Sequence, residues 1–151
     1  MNADNSKVVF EATHGIVDEI LDKTIEKLFC VYVRSDNNTI EACEFLLKLC
    51  EHQYWYEFYL EFGFCKWIRY EKYPDDFFLE DLESDMKVDL SDRNGVTGLK
   101  IEKASVQQIS KGVSLELHLS DKTHFKLENE YFEKEDDIGE QTKLNIYNSD
   151  A

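Results

Sequence analysis

A chain of 151 residues carries 32 acidic against 17 basic side chains, a formal net charge of −15 at pH 7, with 42% hydrophobic and 13% aromatic residues. Such a length fits a single domain that buries roughly 70% of its unfolded surface, and the aromatic content excludes a disordered acidic tail. The charge repels phosphate backbones and anionic membrane surfaces. Direct binding to nucleic acid or membrane is therefore not expected, and basic proteins are the partners the chain would steer.

The opening stretch MNADNSKVVFEATHG has no basic segment followed by an apolar one, so it does not read as a signal peptide. No apolar run nears the ~20 residues of a membrane-spanning helix. Cys30, Cys43, Cys50 and Cys65 form no CxxC pair and are read as reduced, mostly buried thiols. The expected location is cytoplasmic.

In chain order, the first periodic segment runs from Thr13 to about Phe29. Ile16, Val17, Ile20, Leu21, Ile25 and Leu28 recur at helical spacing opposite Asp18, Glu19, Asp22, Lys23, Glu26 and Lys27, which predicts an amphipathic helix. A second helix is predicted from Asn38, a good N-cap with Glu41 three residues on, through Ile40, Cys43, Leu46, Leu47 and Cys50. Tyr54, Tyr56, Phe58, Leu60, Phe62 and Phe64 then fall on one side of a strand, with Trp55, Glu57, Tyr59, Glu61 and Gly63 on the other. Gly63 marks a bulge or bend, after which Cys65 to Tyr70 resume as strand. Pro74 followed by Asp75 and Asp76 predicts a short third helix with Phe78, Leu79, Leu82 and Met86 on its buried side.

From Gly95 the segments TGLKIEK, GVSLELHLS, KTHFKLE and KLNIYN predict an antiparallel meander. Directly opposed residues share a face, so apolar must meet apolar. That rule gives a three-residue loop, Ser120-Asp121-Lys122, and sets Leu117 opposite Phe125, Leu115 opposite Leu127, Glu116 opposite Lys126 and His118 opposite His124. The predicted class is α+β: two to three helices, mainly N-terminal, on one face of an antiparallel sheet made by the aromatic strand and the meander. One domain spans residues 1–151, with 1–8 and 148–151 expected to fray.

No sequence motif carries a reaction. There is no P-loop, GxGxxG or GxSxG, and the segment DLSDRNG does not give the order of a calcium loop. His118 and His124 invite a metal or pH-switch reading, but zinc needs three or four ligands; they are read as imidazoles on a solvated sheet face. Neither catalysis nor a cofactor or metal is expected, although paired carboxylates suit acid–base work and 32 of them give no basis for choosing a pair.

The charge map is more informative. Acidic residues crowd the segments Glu71 to Asp92 and Glu128 to Glu140, whereas Arg93, Lys100, Lys103, Lys111, Lys122 and Lys126 reverse the balance between them. Both acidic runs contain aromatics, and aromatic anchors in a complementary field are what tight, fast interfaces use. The expected partner-binding residues are Asp75, Asp76, Phe77, Glu80, Asp81, Glu83, Asp85, Tyr131, Phe132, Glu133, Glu135, Asp136 and Asp137.

In its small size, acidity, aromatic content and absence of a catalytic signature, the chain is similar to bacterial immunity proteins, a likeness of composition. That likeness implies an inhibitor that caps a basic toxin such as a nuclease, with carboxylates placed where the toxin expects phosphates. Two other binders share the composition: a dimeric chaperone for a secreted effector, gripping an extended segment, and a DNA mimic that occupies nucleic-acid-binding proteins.

Overall fold

The computed structural model describes residues 7–34, 40–71, 87–134 and 137–148. They form β1 (Lys7–Ala12), β2 (Gly15–Ile16), a single 3-10 turn (Asp18–Ile20), β3 (Ile25–Arg34), β4 (Ile40–Leu49), β5 (Trp55–Glu61) and β6 (Phe64–Tyr70). After these come β7 (Lys87–Asp89), α1 (Leu90–Arg93), β8 (Ile101–Ile109), β9 (Gly112–Leu119), β10 (Thr123–Lys134) and β11 (Asp137–Asn148). The strands make two antiparallel sheets: sheet A in the order β1-β6-β5-β4-β3-β7, and sheet B in the order β11-β10-β9-β8-β2. The α+β expectation is therefore wrong. Among the described residues the only α-helix is the single turn α1, capped by Asp89, whose carboxylate accepts from the Asp92 N–H at 3.1 Å.

Both N-terminal helix predictions fail for identifiable reasons. In the first segment Ile25 and Leu28 are three residues apart and both buried, which mimics a helix face. The cause is a register shift in β3 between Ile25 and Lys27. A bulge adds one residue and returns the chain to the same face at a helical interval. Upstream, Val17 and Ile20 are buried because the chain, with its single 3-10 turn, runs beside β8, not because it forms an amphipathic α-helix. Val17 donates to the Ala104 carbonyl (2.9 Å), Asp22 to that of Ile101 (2.8 Å), and Ile25 to that of Leu99 (2.9 Å). This path carries the chain from sheet B into sheet A and joins the two along one side.

The second segment is β4, in which Phe45, Leu46, Leu47 and Leu49 are all buried. A strand covered on both faces presents an unbroken apolar run, and such a run has no period of two to read. Cys50, placed by the helix on a buried face, is exposed, while Cys30 and Cys65 are buried. The third predicted helix lies outside the described residues.

One core lies between the sheets. Leu28, Cys30, Phe45, Leu47, Tyr56, Phe58 and Trp67 from sheet A meet Ile101, Ala104, Val106, Val113, Leu115, Leu117, Phe125 and Leu127 from sheet B. Phe45 and Phe125 touch edge to face, with ring centroids 6.4 Å apart. The meander register is as the sequence required: His118 pairs with His124, Leu117 with Phe125, Glu116 with Lys126 and Leu115 with Leu127. The loop is Ser120 to Lys122, with Lys122 left-handed at φ 72°. β10 and β11 run farther than predicted, so the acidic run from Glu128 to Glu140 contains a long hairpin rather than a loop.

Candidate partner-binding surface

The aromatic stretch that sequence reasoning places on one strand is a hairpin. β5 and β6 are joined at Phe62-Gly63, with Glu61 paired to Phe64 across the turn. Phe62 has φ 43° and Gly63 φ 87°. Two consecutive left-handed residues are the mark of a type I′ turn, whose twist suits a hairpin and whose favoured sequence is Asn-Gly. Glycine adopts that backbone freely, but a bulky side chain at the first position costs roughly 1–2 kcal/mol. Tyr56, Phe58 and Leu60 stay in the core as expected; Phe62 and Phe64 do not, being 47% and 41% exposed.

Two contacts seat this tip against sheet B, one of them backed by hydrogen bonds within that sheet. The Phe62 N–H donates to Glu140 Oε2 at 2.9 Å. The same oxygen accepts from Nδ2 of the buried Asn129 at 3.1 Å, and Asn129 also donates to Thr142 Oγ1 at 2.9 Å. A Cβ built on Gly63 would lie 3.9 Å from the Tyr131 ring, so the turn passes close over that side chain. Tyr131 and Phe132 then emerge on opposite faces of β10. Phe132 lies across Gly139 of β11, where a Cβ would come within 2.6 Å of its ring. Glycine at that cross-strand position gives the aromatic its seat.

Phe62, Phe64, Tyr131 and Phe132 thus bring large, half-exposed apolar surface to one end of the sandwich. Beside Tyr131 and Phe132 a hollow of about 430 Å³ is lined also by Ser110, Lys111 and Glu133. Exposed Glu61, Glu130 and Glu133 flank these aromatics along β5 and β10, and Glu140 pins the turn.

Of the residues predicted to bind a partner, Tyr131, Phe132 and Glu133 belong to this end. Asp75, Asp76, Phe77, Glu80, Asp81, Glu83, Asp85, Glu135 and Asp136 lie outside the described residues. Asp137 opens β11, opposite Lys134. Sequence reasoning missed Phe62 and Phe64 as surface residues. The available signal was the glycine after Phe62, which suits the second position of a tight hairpin turn.

Elsewhere, the titratable groups are held in structural arrangements. On the outer face of sheet A, Glu44 sits beside Glu57, which accepts a hydrogen bond from the Tyr70 hydroxyl at 3.1 Å. Burial, then the hydrogen bond and the charge of Glu57, push the Glu44 carboxyl far up, to about 9. The pair therefore holds on to a proton that an isolated carboxyl would have given up. At the other end of the core Glu19 accepts from Trp67 Nε1 (2.9 Å) and from Arg69 (3.3 Å), while Arg69 stacks over Tyr54 at 4.7 Å. Burial pushes the Cys65 thiol up to about 12, far from a reactive thiolate. Among the described residues no group of three or more His, Cys, Asp or Glu is placed to hold a metal, and no helix is long and apolar enough to cross a membrane.

Comparison of the chain with known protein families, with curated proteins and with solved structures finds no match.

Proposed function

We propose that this protein is an acidic inhibitor of the immunity type, which caps a basic protein and grips it with the aromatic end of the sandwich. The observation that carries this reading is Phe62. A bulky residue stands in a left-handed turn position, half-exposed, where Asn would be less strained, and its backbone is pinned by Glu140. Strain held in place by surrounding structure is characteristic of functional surfaces. Phe64, Tyr131 and Phe132 extend the anchor, and the net charge of −15 supplies long-range attraction for a lysine- and arginine-rich partner.

The test uses the tagged protein in lysate of its native organism, washed at low and then high salt. Wild type is expected to retain one discrete basic protein that resists high salt, and Phe62→Asn to lose it. The same variant should unfold later in denaturant than wild type, by about 1 kcal/mol, because Asn relieves the turn. Equal retention by Phe62→Asn and by Phe132→Ser would remove the aromatic end from the interface. Retention of many basic proteins, all lost at high salt, would mean that the acidity is only a non-specific field.

A further inference from the structure

The outer face of sheet B carries a row of four side chains across four strands: Lys103 of β8, His118 of β9, His124 of β10 and Tyr147 of β11. The two imidazoles lie against each other with centroids 4.5 Å apart and ring planes tilted by 31°, and the His124 ring lies 4.8 Å from that of Tyr147. The row sits next to the turn that closes the β9–β10 hairpin and near the C-terminal end of β11. We infer that it is a proton-operated latch: closed while at most one imidazole is charged, and opened at the turn end of the hairpin and along the end of β11 when both are.

The groups facing the pair determine that outcome. His118 has a carboxylate of its own, Glu116 Oε2, 3.0 Å from its Nε2. Among the described residues His124 has none. Around it stand His118 from β9, Lys126 from its own strand, Lys103 from β8 and the uncharged Tyr147 from β11, with Glu116 the one opposing charge among the described residues. Glu116 is also shared, lying 3.7 Å from Lys126. A first proton is accommodated between His118 and Glu116. A second must be placed on His124, 4.5 Å from a cationic ring and bordered by two lysines, and separating the rings relieves it. The row lies on sheet B's outer face and does not involve the aromatic end, so the inference stands apart from the partner reading.

The test follows the imidazole resonances of the intact protein by NMR from pH 8 to 5, with amide exchange measured at pH 7.5 and 5.5. Two protonation steps separated by about one pH unit or more are expected. After correction for intrinsic chemistry, amides flanking the hairpin turn and in β11 near Tyr147 should exchange roughly tenfold faster at pH 5.5. His124→Gln and, independently, His118→Gln should abolish that acceleration while leaving the pH 7.5 pattern unchanged. The latch is overturned if both histidines titrate as one independent step near the ordinary value. It is equally overturned if the acceleration persists in either variant.

Discussion

The two sheets share a core but turn very different outer faces away from it. On sheet B the outward positions are Lys103, Ser105, Glu116, His118, Lys126 and Glu128, cross-linked by Lys126 to Glu116 at 3.7 Å and to Glu128 at 4.0 Å. On sheet A the corresponding positions include Val31, Leu46 and Ile68, all buried, with Phe29 and Trp55 stacked at 6.2 Å beside them. Among the charged groups there, Glu44 and Glu57 form a partly buried carboxyl pair, while Lys66 reaches the half-exposed Glu11 and Glu61 at 3.9 and 3.6 Å. One sheet buries apolar side chains on one side, the other on both. The difference teaches that a strand pattern records how many faces are covered, not merely that a strand is present.

The largest effect should come from truncating an outward residue of sheet A. Leu46 is 1% exposed although it faces away from the shared core. Leu46→Ala is expected to cost about 2–5 kcal/mol in chemical denaturation, as for an interior leucine. A cost below about 1 kcal/mol would place it on an ordinary solvated face and dissolve the contrast.

Acid and base should separate the faces in opposite directions. The folded-state pKa of Glu44 is raised, so its contribution is fully present below about pH 4.5 and is lost as pH rises towards about 9. The midpoint of denaturation should therefore fall between pH 6 and 9, and Glu44→Gln, which keeps a donor, should flatten that limb. His124 has the reverse sign. Burial and its cationic neighbours lower its proton affinity below the ordinary 6.5. The unfolded chain then binds the proton more readily, and stability declines as pH falls through about 6.5 and below. His124→Gln should flatten the acid limb and leave the alkaline one. A single limb shared by both variants would mean that the faces are not independent.

The same contrast explains what could be read from the amino acids. In sheet B, Val113, Leu115 and Leu117 alternate with Ser114, Glu116 and His118. Only one face is apolar, so the alternation yields the strands and their register residue by residue. In β4, Leu46 on the outer face fills the gap between Phe45 and Leu47 on the inner, and the alternation disappears. In β3 the bulge after Ile25 replaces it with a three-residue interval. Both distortions resemble a helix, because local spacing does not reveal a second covered face or an inserted residue. The candidate surface was half legible for a similar reason. Tyr131 and Phe132 stand out within an acidic run, whereas Phe62 and Phe64 continue the parity of a core strand across a turn that reverses the chain.

The smallest predicted effect is on sheet B, at Lys126. Its ammonium lies between Glu116 and Glu128 and is partly exposed, so water and salt screen both attractions. Lys126→Ala should cost no more than about 1 kcal/mol at low salt, and the difference should vanish at high ionic strength. It should also raise the proton affinity of His124, since one of the cations that oppose its protonation is gone. That pairing of a negligible stability change with a displaced histidine titration belongs to a solvated face whose charges sense one another through a partly aqueous medium. A loss as large as that expected for Leu46→Ala, insensitive to salt, would instead show that sheet B is covered on both sides as well.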